Sequence, residues 1–169
     1  MEVFYSGTMS KSMSDLSAEN VQVYPRPPAL EPVPHRLRVV LNGETVAETT
    51  RALRVLETHH APTYYIAPED VEAALIATRR TTFYEWKGQA AYFNVRAGDK
   101  TAHRAAWSYP SPSASFSALA GHVSFYAGAM DACFVGAERV IPQPGDFYGG
   151  WVTGNLQGRI KGTPGTEHW

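Results

Sequence analysis

Leu37-Arg38-Val39-Val40-Leu41-Asn42-Gly43-Glu44-Thr45-Val46-Ala47-Glu48-Thr49 decides the fold class of this chain. Apolar residues at 37, 39 and 41 follow the two-residue period of a strand with one buried face. Asn42-Gly43 is a strong tight-turn signal, because both residues tolerate the positive φ that a two-residue hairpin loop demands. Residues 45–49 then return as the partner strand. Alternation resumes in Ala52-Leu53-Arg54-Val55-Leu56, a further strand.

Working outward, a polar loop over 57–62 leads into Thr63-Tyr64-Tyr65-Ile66. A helix is expected from Pro68 to about Ala77. Proline suits a first helical turn, Glu69 and Asp70 complement its dipole, and Val71, Ala74 and Leu75 share one helical face. Strands are expected over 81–86, 90–96, 101–108 and 122–126, with a hairpin connection at Ala97-Gly98-Asp99-Lys100. Residues 115–120 suit a second short helix. A last hairpin turns about Gly136, and the Gly- and Pro-rich chain beyond Pro142 reads as loop. Residues 1–34 read as a flexible, proline-rich N-terminal extension. Its first 20 residues show no period, and prolines 25, 27, 28, 32 and 34 favour an extended arm. The expectation is a mainly β fold: one compact antiparallel sheet, sandwich or half-open barrel with one or two short helices, occupying residues 35–169 as a single domain.

Composition narrows the function. At 169 residues the chain suits one domain, and its 12% aromatic share favours strands. A net charge of −1 points away from nucleic acid. The absence of a signal-like start or a long apolar run points to a soluble, cytoplasmic protein that crosses no membrane. The single Cys133 excludes an internal disulfide, and its strand-like setting reads as a buried, inert thiol. No metal or cofactor is expected, and the oligomeric state is open.

Three motifs are built round tryptophan: Glu85-Trp86-Lys87-Gly88, Ala106-Trp107-Ser108-Tyr109-Pro110 and Phe147-Tyr148-Gly149-Gly150-Trp151. Each sets a large ring beside a cation, a hydroxyl or paired glycines, the mixture that lines ligand pockets. Trp86 and Lys87 alternate at a strand end, so one faces in and the other out. Either they form an aromatic platform with an ammonium for an anion, or Trp86 is core and Lys87 is solvated. Trp107 and Tyr109 share a face, either as core or as pocket walls. The glycine-bearing loop before Trp151 is either a closing lid or a rigid flap. Glu57 and His60 are candidate general acids or bases, with Lys87 beside them as a third catalytic candidate. Adjacent His59 and His60 point apart on an extended chain, which disfavours a shared metal. Arg51 and Arg54 are solvated surface or an anion site.

These motifs, with residues 51–57, Tyr64-Tyr65-Ile66, Pro68-Glu69-Asp70-Val71 and Lys161-Gly162-Thr163-Pro164-Gly165-Thr166, resemble the bacterial family known as domain of unknown function 427. The resemblance spans roughly residues 36–169 and implies a small, mainly β domain without an established reaction. The family is sometimes labelled nucleotidyltransferase-like, but this sequence lacks a Gly-Ser with paired carboxylates. Family members often carry Cys-Pro before Trp-Lys-Gly, where this chain has Tyr84-Glu85. Any chemistry that needs that cysteine is then missing here.

The leading expectation is a domain that binds a small ligand, with charge suited to an anion, in an aromatic-lined pocket. Arg51, Trp86, Lys87, Trp107, Tyr109 and Trp151 would form that site. The alternatives are an enzyme acting on a nucleotide-like or other anionic substrate, and a structural or protein-interaction module.

Overall fold

The structure, a computed structural model, describes residues 16–145 and 147–169. The sequence's central hairpin is present. Leu37–Leu41 (β3) and Glu44–Thr49 (β4) pair antiparallel around Asn42 and Gly43, whose φ values are +54° and +71°. Leu37, Val39 and Leu41 are fully buried while Arg38 and Val40 are half-exposed, the alternation the sequence demanded. Ala132–Val135 (β11) pairs with the other edge of β3, and Glu138–Arg139 (β12) folds back on it through Gly136. This four-stranded sheet buries Cys133, and burial pushes its thiol pKa up to about 12, which makes it unreactive.

A second four-stranded sheet is a meander of Ala74–Tyr84 (β7), Gly88–Ala97 (β8), Lys100–Ser108 (β9) and Val123–Phe125 (β10). A third sheet joins Ala29–Pro32 (β2), Leu53–Leu56 (β5) and Thr63–Tyr65 (β6). Ile66 and Val123 exchange two backbone hydrogen bonds of 2.8 Å, which stitch the third sheet to the edge of the meander. The result is mainly β, with several antiparallel sheets, short 3-10 turns and no closed barrel among the described residues.

The helix expected from Pro68 is not there. Pro68–Asp70 makes a single 3-10 turn, and the chain then runs into the eleven-residue β7. The backbone N–H groups of Glu72 and Ala73 both donate to the Val46 carbonyl, at 2.7 and 3.1 Å, so β4 captures the segment before a helix can propagate. Ile76, Thr78, Thr81, Thr82 and Phe83 then favour a pleated surface, and pairing with β8 from Ala74 onward overrides the helical spacing of 71, 74 and 75. The second short helix is a 3-10 segment over Ala114–Leu119.

Of the expected N-terminal extension, residues 1–15 lie outside the described residues. From Leu16 the chain lies on the body as an arm: Val21 and Val33 are buried, and β2 adds a strand to β5. Arg54 reaches the arm twice, with its Nη2 2.6 Å from Glu31 and 3.1 Å from Glu19. Beyond Pro142 the chain is mostly loop, pinned by two short ladders. Ile141–Pro142 (β13) pairs with Trp151–Val152 (β14), and Leu156–Gln157 (β15) runs parallel to Glu19–Asn20 (β1). No helix is long and apolar enough to cross a membrane among the described residues.

Three apolar clusters form the core of the described residues, the smallest being Val21, Tyr24 and Leu56 at the N-terminal arm. The largest contains Leu37, Val39, Leu41, Val46, Val95, Phe125 and Trp151. The second is aromatic: Tyr65, Tyr92, Trp107, Tyr109 and Phe116 with Val55, Ala90 and Leu119. The candidate site opens off the aromatic cluster.

Candidate functional site

The turn between β7 and β8 sets the site's cation. Gly88 takes φ +104°, the left-handed region that glycine enters without strain, and the Lys87 N–H donates to the Tyr84 carbonyl at 3.1 Å. The loop after Tyr109 clamps this turn from outside. The Ser113 N–H donates to the Lys87 carbonyl at 3.1 Å, and its hydroxyl to the Trp86 carbonyl at 2.6 Å. Lys87 is thereby turned inward and is only 6% exposed, whereas Trp86 faces out at 38%.

Inside, the Lys87 ammonium lies 3.9 Å from the Tyr84 ring centroid, 5.7 Å from Tyr109 and 5.9 Å from Phe116. The ring faces supply cation–π attraction. Among the described residues no carboxylate oxygen comes within 4.0 Å of it. Burial lowers its pKa to about 8, with the Glu57 carboxylate opposing part of that shift. A buried ammonium without an ion-pair partner is rare in a folded core and common where a ligand supplies the counter-charge.

Lys87 faces a cavity of about 290 Å³. Its rings include Tyr65, Tyr84, Tyr92, Trp107, Tyr109 and Tyr126, with Trp107 and Tyr126 4.5 Å apart between centroids, and Phe83, Phe147 and Tyr148 complete the aromatic lining. Besides Lys87, its polar residues are Glu57, His60, Thr63, Thr82, Gln143 and Lys161. The Gln143 amide organises this side: its Nε2 donates to the Lys161 carbonyl at 2.9 Å, and its Oε1 accepts from the Ala61 N–H at 3.2 Å. That orientation aims the second Nε2 hydrogen at His60 Nδ1, 3.1 Å away. Nδ1 is then an acceptor, which places the proton of neutral His60 on Nε2. Burial lowers the His60 pKa, with the Lys161 and Lys87 charges adding to the effect and Glu57 opposing it. Near neutral pH the cavity carries Lys87 and Lys161 against Glu57, a positive balance. Burial first, and then the pull of the Glu57 carboxylate on its proton, hold the buried Tyr84 hydroxyl protonated, although the two groups fall short of a full hydrogen bond.

Gln143 and residues 147–150 roof the cavity as a packed flap. A Cβ on Gly149 would lie 2.0 Å from Trp107 Cη2, and one on Gly150 would lie 2.6 Å from the Ala61 carbonyl oxygen. The Tyr126 hydroxyl donates to the Phe147 carbonyl at 3.3 Å, and the Gln143 N–H to the Gly150 carbonyl at 3.0 Å. Gly149→Ala should therefore push the flap off Trp107 and destabilise by about 1–3 kcal/mol. A red shift in tryptophan fluorescence and a lower Tm would register it. Gly128→Ala, whose new Cβ meets only Pro142 at 3.6 Å, should leave both unchanged.

Among the sequence's candidates, Glu57, His60, Lys87, Trp107 and Tyr109 line this one cavity. Three do not. Trp86 borders a neighbouring cleft of about 520 Å³ with His59, Glu85 and Trp169, which shares Glu57, His60 and Lys161 with the inner cavity. Arg51 sits on another face, where Nε donates to Asp70 at 2.9 Å and Nη2 at 3.2 Å. That pairing and the Thr49 hydroxyl hold the Asp70 carboxyl below its ordinary range. Trp151 is core: fully buried, its ring tilted against Tyr64 with centroids 5.2 Å apart, its indole N–H donating to the Phe125 carbonyl at 2.9 Å. His59 and His60 diverge, toward Trp169 and Tyr148 respectively. Sequence reasoning missed Tyr65, Tyr84, Tyr92, Tyr126, Gln143 and Lys161 as site residues. Tyr84 was legible, since it sits three residues before Lys87 and directly precedes its motif. Gln143, isolated between two prolines, carried no signal.

No curated protein matches the chain. The model of the family described as a domain of unknown function, DUF427, matches residues 29–136. The match starts earlier than the motif resemblance and ends before the flap, so Gln143, Gly149 and Lys161 lie beyond it. With well over half its length matched, this chain belongs to the DUF427 family.

Proposed function

We propose that the protein binds a small anionic ligand in the cavity beneath the flap of Gln143 and residues 147–150, with the Lys87 ammonium as its charge partner and the tyrosine and tryptophan rings as its walls. One observation carries this reading: Lys87 is buried among aromatic rings with no carboxylate within 4.0 Å among the described residues. The cavity's volume suits a single-ring or smaller molecule, near the lower end of ligand pockets. Tyr84 and His60 Nε2 offer hydrogen-bond donors beside the charge.

Calorimetric titration with benzoate, an aromatic monocarboxylate of suitable size, tests it. At pH 7 Lys87 is charged, and at pH 9 it is mostly neutral, so benzoate should bind about tenfold more weakly at the higher pH. Binding should also take up protons near pH 8, since an anion raises the Lys87 pKa. No binding at pH 7, or equal affinity at both, would remove Lys87 from the role.

A second reading, an enzyme acting on an anionic substrate, draws on Glu57 and His60 sharing the cavity with Lys87. Proton transfer needs such groups to face one point. Turnover of a bound ligand, lost in His60→Gln with binding retained, would favour it.

A further inference from the structure

The central strand β8 is flanked by two bulges at the same height. Toward β7, pairing jumps from Ala77–Phe93 to Thr81–Ala91, which leaves residues 78–80 opposite Tyr92. Toward β9, it jumps from Ala102–Val95 to Ala106–Phe93, which leaves residues 103–105 opposite Asn94. Tyr92 and Asn94 are two residues apart and so point to one face. Bulges bend a strand and re-aim its side chains, and they concentrate beside active sites.

Each bulge is tied in place by a side chain. The Thr78 hydroxyl donates to the Tyr92 carbonyl at 2.9 Å and accepts from the Arg80 N–H at 3.2 Å. The Arg104 N–H donates to Asn94 Oδ1 at 2.8 Å, and Arg104 takes φ +49°. A long side chain in the left-handed region is strained and persists where surrounding structure imposes it, most often at functional positions.

Both bulges deliver an arginine to one cavity of about 650 Å³. The Arg80 guanidinium lies over the Tyr92 ring at 5.1 Å, and Arg104 borders the same space. Neither has a carboxylate within 4.0 Å among the described residues. This outer cavity and the Lys87 cavity share Tyr92, Tyr126, Gln143 and the flap as common walls. Two guanidinium forks, each with five donors, suit a tetrahedral dianion better than a single carboxylate.

We infer that the twin bulge is a subsite for a phosphate monoester, whose phosphoryl group sits between Arg80 and Arg104 while its organic part enters the ring-walled cavity at Lys87. The inference rests on the proposed function for its inner half and adds the outer half and the ligand class.

Calorimetric titration of the full chain at pH 7 with phenyl phosphate, inorganic phosphate and benzoate separates the two halves. Phenyl phosphate should bind more tightly than inorganic phosphate. Arg80→Gln and Arg104→Gln should each weaken phenyl phosphate by about tenfold or more, the loss of a charged hydrogen bond. Both should leave benzoate unchanged, and Arg104→Lys, which keeps the charge but not the fork, should fall between. Thermal melts of the variants establish that the sheet is intact. Phenyl phosphate binding that survives both Gln variants, or no phosphate binding at all, overturns the subsite. Equal affinity for phenyl and inorganic phosphate overturns its connection to the inner cavity. Loss of benzoate binding in Lys87→Met reports only on the inner site, so either half can fail alone.

Discussion

Lys87→Met is expected to melt higher than the wild type and to lose benzoate binding. Methionine keeps the length and apolar stem of lysine and fills the same space between Tyr84, Tyr109 and Phe116. What disappears is a buried charge whose pKa has fallen from 10.5 to about 8. Below pH 8 both folded and unfolded chains hold that proton, and the folded one bears the full desolvation penalty. The gain on substitution is then largest, about 2–3 kcal/mol once lost cation–π contacts are set against it. As pH rises from 8 to 10.5 the folded chain releases the proton first, the wild type recovers stability, and the gain should vanish. Chemical denaturation of both proteins at pH 7 and pH 10.5 measures it. A variant less stable than wild type at pH 7 would mean that Lys87 is structural. Higher stability with lost binding is the signature of a residue kept at the expense of the fold.

Trp151→Ala should be the most damaging single truncation, at about 4 kcal/mol. The ring is fully buried in the largest core cluster, and its removal opens a cavity between Tyr64 and Phe125. It also strands the buried Phe125 carbonyl that accepts the indole N–H at 2.9 Å. Trp151→Phe separates the two effects, because it restores most of the volume but not the donor. Its loss should be about 1–3 kcal/mol, the cost of an unpaired buried acceptor. Urea denaturation midpoints at constant m-value give both numbers. If Trp151→Ala falls within 1 kcal/mol of wild type, the residue is no core anchor, and the assignment of Trp151 to the core rather than the pocket fails.

The residues that announced the fold did so through local physics. Alternation over 37–41 and the Asn42-Gly43 turn need no distant partner to be read, and they form the hairpin expected of them. The segment from Pro68 failed because its helical spacing was real but weak, and the competing influence came from Val46, more than twenty residues earlier. The candidate site was legible in the same uneven way. Strand alternation reveals which side chains share a face, and that brought Trp107 and Tyr109 together. It is silent on which loops lie above that face. Trp151 looked like Trp107 in sequence, and only its entry into the opposite core tells them apart. The adjacent Arg79 and Arg80 show as a local pair of charges in the sequence. Arg104 does not stand out there, because its role depends on a bulge, and a bulge is a relation between two strands.

The parallel ladder between Glu19–Asn20 and Leu156–Gln157 joins segments that lie almost a full chain length apart. Closing so long a loop carries an entropic cost that nearby contacts do not. On the ribosome, the hairpin and the meander can pair as they emerge, whereas Gln143, Gly149 and Lys161 are delivered with the late segment that this ladder anchors. Until then Trp107 and Lys87 face an unroofed trough. The roofed cavity is thus completed only when the late segment docks, after the hairpin and the meander that form its floor.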